Sequence, residues 1–252
     1  MSQAIRPVPA VKRAIDILDH LARSDEPQSL SQIARTVGII PSSCLHILRE
    51  LAAGHLVRFD QERKVYSLGW GVLDLARGLE ARDPFAKVAQ PHISRIAHAH
   101  HAVATANVFD GKAHIVVVAR SDVTDRVPIH LPVGLRVPFL SSATGRVLAA
   151  FNLYPEDRLR KGFAELSWQR PISFRRWKQE LADARVNGYA IDEGLYRRGI
   201  TVVAAPVFYG NRVEKFIGAS MLSEQVNGKA LRTLAEEVKL VGQEIGREML
   251  GR

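Results

Sequence analysis

Val11, Ala14, Leu18 and Leu21 fall three or four positions apart, the repeat of one helix face, and predict a helix over Pro9–Ala22. Ser24-Asp25-Glu26-Pro27 interrupts it. Residues 29–54 then read as two short amphipathic helices with a tight turn between them. Ser29 followed by Gln32 fits a capping box, Leu30, Ile33, Ala34 and Val37 share a face, and Gly38 suits the left-handed residue that ends such a helix. Pro41 fits the first turn of the second helix. There Cys44, Ile47, Leu48 and Leu51 form the buried stripe, leaving Ser42, Ser43, Leu45, His46 and Arg49 outward. Residues 56–59 and 64–68 read as strands joined across 60–63. Helix, helix-turn-helix, hairpin is the winged-helix order, and its outward set is a candidate reader of double-stranded DNA.

From Gly69 the pattern is helical again, with Val72, Leu75, Ala76 and Leu79 on one face. Such a face has to be buried, and a two-fold mate would do it. Asp83-Pro84 ends this helix. Beyond it the pattern predicts a helix over 91–101 and strands over 102–109, 113–120 and 127–133, with Asp110-Gly111 turning the first strand into the second. Helices are expected over 143–151 and 174–186, the latter closed by Asn187-Gly188. Strands follow over 189–191, 201–208 and 216–222, with a turn at Gly210-Asn211, and Leu231, Leu234, Val238, Val241 and Ile245 mark a last helix. Hairpin-joined strands flanked by helices predict an α+β domain around an antiparallel sheet. The expected organisation is a winged helix-turn-helix domain over 1–68, a linker helix over 69–83 and the α+β domain over 84–252.

Composition narrows the class without naming a partner. At 252 residues, 46% hydrophobic and 24% charged, the chain has the make-up of a soluble globular protein. No apolar run nears the roughly 20 residues that span a bilayer, and the first residues lack the apolar core of a signal peptide. The single cysteine, Cys44, rules out an intramolecular disulfide; a cytoplasmic protein is expected. The net charge of +9 invites a polyanion partner. Yet residues 1–82 hold 11 Lys and Arg against 9 Asp and Glu, or +2, and residues 83–252 hold 24 against 17, or +7. Most of the excess lies outside the helix-turn-helix half, so charge permits nucleic acid without requiring it.

Chemistry of other kinds finds little footing. His98, His100 and His101 have no i, i+4 pair and no second Cys or His cluster, so no metal site is expected. Cys44 lies on the buried stripe and reads as a small core hydrophobe. Asp192 and Glu193 are adjacent carboxylates, but neighbours on a strand point to opposite faces, and no nucleophile comes with a recognisable base. An enzyme and a non-specific basic nucleic-acid-binding protein are the rival readings; no catalytic residue and no cofactor is assigned.

Three segments together resemble the IclR-type bacterial transcriptional regulators. The helix-turn-helix continuing through ELAAGHLVRFDQERKVYSLGWGVLDLA is similar to the family's DNA-binding and linker run. VGLRVPFLSSATGRVLAAF resembles its S-A-T-G-K-like segment, with Arg146 where the lysine stands. NGYAIDEGLYRRGITVVAAPV resembles its G-Y-x-x-D … A-A-P-V segment, with Leu195 at a common glutamate position, and His46 stands where the recognition helix often has arginine. The resemblance implies a winged helix followed by a GAF-like sensor domain. It also implies an effector-responsive regulator, acting as homodimer or homotetramer on a near-palindromic operator. Ser42, Ser43, Leu45, His46 and Arg49 would then meet base edges or phosphates, and Arg58, Arg63 and Lys64 of the wing would meet phosphates. The resemblance implies an effector that is a small carboxylic acid or an aromatic metabolite, and a small carboxylic or aromatic acid is expected. The matching positions are Ala143 and Thr144, whose backbone N–H groups would hold a carboxylate, Asp192, and the inward strand positions Val202, Ser220 and Leu222. Arg146, Arg197 and Arg198 read as surface arginines beside that site.

Overall fold

In the computed structural model residues 8–80, 83–122, 129–210 and 212–251 are described. The chain divides into two units, Met1–Arg82 and Asp83–Arg252.

The first unit runs α1 (Pro9–Ala22), β1 (Gln28–Ser29), α2 (Leu30–Val37), α3 (Pro41–Ala53), β2 (Val57–Asp60), β3 (Val65–Leu68) and α4 (Gly71–Glu80). Both bonds of the capping box form: Ser29 N donates to Gln32 Oε1 at 2.8 Å and Gln32 N to Ser29 Oγ at 3.4 Å. Gly38 ends α2 with φ at 71°, and Pro41 opens α3. Cys44, Leu48 and Leu51 of α3 pack with Ile17 and Leu21 of α1 and Ile33 of α2; Ile47 is only half-buried. The two-residue strand β1 is too short to carry a periodicity. It pairs Gln28 with Tyr66 and Ser29 with Val65, making a three-stranded sheet of order β1-β3-β2. The hairpin turns where Asp60 Oδ1 accepts the amides of Glu62 and Arg63, each at 3.0 Å.

The second unit runs α5 (Phe85–His100), β4 (Val103–Phe109), β5 (His114–Arg120), β6 (Arg136–Pro138), α6 (Ser142–Phe151), α7 (Glu156–Ala164), α8 (Phe174–Asn187), β7 (Ala190–Glu193), β8 (Ile200–Val207), β9 (Lys215–Leu222) and α9 (Gly228–Leu250). The six strands form one antiparallel sheet of order β6-β5-β4-β9-β8-β7. One face packs on α5 and α9 through residues such as Ile93, Val203, Ile217 and Val238. The other packs on α6 and α8 through Val147, Leu148, Trp177, Ala204 and Phe216. The fold is the expected α+β arrangement.

Three local expectations change. The helix expected from Pro91 begins six residues earlier, at Phe85, with Pro91 inside it. Pro91 and Lys87 are both exposed, so the carbonyl that proline leaves unpaired faces water. No strand forms over 129–133, the described part of the segment expected to be one; the edge strand is Arg136–Pro138. Pro132 cannot donate to a ladder, and Ile129 is apolar because it packs on Val103. Helix α7 carries no apolar repeat in the sequence, because EDRLRKGFA buries only Leu159 and Gly162. Asn211, in the turn expected at 210–211, lies outside the described residues.

Candidate DNA interface and sensor site

In the first unit α3 divides as its spacing requires. Ser42, His46 and Arg49 are exposed, Ser43 and Leu45 half-buried, and the opposite stripe holds the core. Arg58, Arg63 and Lys64 are exposed on the hairpin. Burial pushes the Tyr66 phenol of β3 up, and the Arg49 charge offsets part of that. This unit therefore exposes polar, hydrogen-bonding side chains on α3 and cations on the hairpin.

In the second unit the register gathers three of the sequence-derived positions. Asp192 pairs with Val202, and Val202 with Ser220, so the three form a row across β7, β8 and β9 on the face that α6 covers. Leu222, two residues further on the same face, packs instead with Val103 and Ile129 at the end of the sheet. Helix α6 delivers its N-terminus to this face. Gly145 N makes its first helical bond, to Ser141 O at 2.8 Å, so the amides of Ser142, Ala143 and Thr144 precede the ladder. Ser142 enters with φ at 55°, a left-handed conformation that is uncommon for serine and tends to cluster at binding sites. The Thr144 side chain reaches to within contact of the space above Gly218, where Thr105 Oγ1 and Asn107 Nδ2 also converge. Thr105 and Asn107, buried and hydrogen-bonded to each other at 2.9 Å, were not singled out from the sequence. Their signal was there: two polar residues at same-face positions of an otherwise apolar strand.

Arg146 overturns its surface reading. It is fully buried, with Nε donating to Glu180 Oε2 at 2.7 Å and Nη1 to Ser142 O at 2.8 Å and Asp192 Oδ2 at 3.4 Å. Arg197 and Arg198 are exposed. Asp192 is also committed locally: its Oδ1 accepts the Leu195 amide at 2.7 Å and its Oδ2 the Tyr196 amide at 3.3 Å, closing the turn after β7. A cleft of about 450 Å³ lined by Arg170, Arg198, Thr201 and Ser223 opens off the other side of β8, away from the row. Among the described residues no group of three or more His, Cys, Asp or Glu is placed to hold a metal ion, and no helix is long and apolar enough to cross a membrane.

A winged helix-turn-helix followed in one chain by an α+β domain with a recessed polar row is the organisation of a ligand-responsive transcriptional regulator. The comparisons agree. Residues 10–61 match the family model for the IclR helix-turn-helix domain, and residues 81–247 the model for the bacterial transcriptional regulator IclR C-terminal domain. The chain belongs to the IclR family, whose members are effector-modulated DNA-binding regulators. It is 24% identical over 230 residues to the HTH-type transcriptional regulator BhcR of Paracoccus denitrificans, covering 88% of this chain and 78% of that one. It is 23% identical to the HTH-type transcriptional repressor AllR of Escherichia coli, covering 79% and 74%. Among solved structures, an IclR regulator from Alicyclobacillus acidocaldarius superposes with a TM-score of 0.78 at 24% identity, covering 96% and 98%. An IclR homologue from Microbacterium hydrocarbonoxydans complexed with 4-hydroxybenzoate gives 0.77 at 20%, covering 95% and 99%.

Proposed function

We propose that this regulator reads its operator with α3 and senses a small carboxylic or aromatic acid at the start of α6. Ser42, Ser43, Leu45, His46 and Arg49 face the major groove, and Arg58, Arg63 and Lys64 of the wing hold phosphates that set its orientation. The acid's carboxylate sits on the Ala143 and Thr144 amides, where free N–H groups and the helix dipole favour an anion. Its body lies along Val202 and Ser220, and Leu222 bounds the end. The observation that carries the sensor half is the register that aligns Asp192, Val202 and Ser220 beneath α6. The 4-hydroxybenzoate bound by the Microbacterium homologue has the same chemistry.

Two copies are required for a near-palindromic site, because two recognition helices then meet successive major grooves about 34 Å apart. The mate covers α4, whose Leu75 and Leu79 are 66% and 68% exposed. The effector shifts the equilibrium between two arrangements of the recognition helices by its unequal affinity for them. A thermal-shift screen of small acids tests the sensor site. A stabilising acid whose effect survives Thr144→Trp, which fills the space over Gly218, contradicts the placement.

A further inference from the structure

Arg146 and Asp192 are 0% and 1% exposed, so water does little to screen their charges from a neighbour. Arg146 Nε bonds Glu180, and Nη1 meets both Ser142 O and Asp192. On the outer side Arg176 Nε reaches Glu180 at 3.2 Å. Two guanidinium groups thus stand against two carboxylates, and the cluster is neutral. Arg146 Nη2 is buried with no hydrogen-bond partner among the described residues. The guanidinium, with its five donors, is therefore not exhausted by the two carboxylates. Its stem leaves α6 two residues after Thr144, and its charge lies against the one acid in the row with Val202 and Ser220.

We infer that Arg146 is the counter-charge that makes the sensor site accept an anion. Left alone, the Asp192 carboxylate would repel a ligand carboxylate at the start of α6 and favour a neutral or cationic ligand. With Arg146 beside it the wall is neutral, and the positive end of α6 is the field that the ligand meets. Arg146 acts through Asp192 and need not touch the ligand; it is a specificity-determining residue. This rests on the sensor site proposed above. A purely structural clamp between α6, α8 and β7 differs in consequence, because its loss weakens every ligand alike.

Calorimetric titration of the full chain with matched acids and amides separates the two: 4-hydroxybenzoate against 4-hydroxybenzamide, benzoate against benzamide, lactate against lactamide. Arg146→Lys retains the preference for acid. Arg146→Gln weakens acid binding by about tenfold or more while amide binding stays within about threefold, and adding Asp192→Asn restores the acid. If Arg146→Gln does not fold, Asp192→Asn alone carries the test: Arg146 is then unopposed there, so the affinity for acid relative to amide rises by about threefold or more, and an unchanged acid-to-amide ratio overturns the inference. Acid and amide falling in parallel, or no recovery on adding Asp192→Asn, overturns the inference. Acid binding that is lost in Thr144→Trp but keeps its selectivity in Arg146→Gln refutes the counter-charge alone. No binding of any acid to the unaltered chain sinks the sensor site itself, and the inference with it.

Discussion

Gly145 lies directly on the backbone of Leu140: a Cβ added to it would stand 2.1 Å from the Leu140 carbonyl carbon. No carbon can be accommodated there, so the glycine of the S-A-T-G segment sets how closely the first turn of α6 approaches the chain that precedes it. That approach fixes where the Ala143 and Thr144 amides end.

Gly145→Ala should therefore displace the start of α6, because the obstacle is main chain and not a side chain that can swing away. Overpacking of this kind costs about 1–3 kcal/mol. Calorimetry should show a lower melting temperature for the second unit, and acid binding should fall in the same variant. An unaltered melting temperature and affinity would mean that the glycine has no such role.

His46→Ala with Arg49→Ala removes two exposed side chains of α3 and leaves the core as it is. Circular dichroism should stay the same while operator affinity falls by about 100-fold or more at physiological salt. Arg58, Arg63 and Lys64 changed together to Ala should instead reduce the slope of log affinity against log salt, by about 0.9 for each phosphate that is no longer neutralised. Gel-shift titrations at several salt concentrations distinguish base reading from phosphate holding.

Leu75→Glu with Leu79→Glu places charge on the exposed face of α4. Sedimentation should show a shift toward monomer, with helical content retained. Persistence of the native oligomer would place the two-fold interface elsewhere.

Asp110 gives a stability effect with a defined pH window. Desolvation raises its pKa, but hydrogen bonds from the amides of His114, Lys112 and Ala113 and from the His114 ring outweigh this and hold the carboxyl at about 2. Since the folded value lies below the unfolded one of about 3.9, the ionised form stabilises the fold, fully above the unfolded value, and the effect is lost as pH falls toward the folded one. Asp110→Ala should unfold at lower urea than the unaltered chain at pH 7, and the gap should close as pH drops from about 4 to about 2. A gap that is constant with pH would contradict this role for the carboxylate in the β4–β5 turn.

Residues whose role is local were legible in the sequence. Ser29 and Gln32 cap α2 by a rule of spacing, Gly38 ends it by conformation, and Cys44 and Leu48 are buried by a repeat that any amphipathic helix shows. Residues whose role depends on what packs against them were not. Pro91 looked like a helix start because proline's cost inside a helix depends on whether the freed carbonyl meets water, and here it does. Ile129 looked like strand because burial under a loop and burial in a sheet leave the same apolar mark. Arg146 read as surface because arginine usually is; its partners, Glu180 and Asp192, lie 34 and 46 residues away. Asp192, Val202 and Ser220 could be proposed singly, but their alignment is a matter of register between three strands.

If the chain is a switch, occupancy of the α6 site must change the grip of α3 on DNA. Fluorescence anisotropy of a labelled operator fragment, titrated with this protein at fixed salt with and without a saturating acid that binds it, measures that coupling. The expected result is a change in DNA affinity of about 5- to 150-fold, with the operator changing the affinity for the acid by the same factor. An acid that binds at the α6 site and leaves DNA affinity unchanged contradicts it.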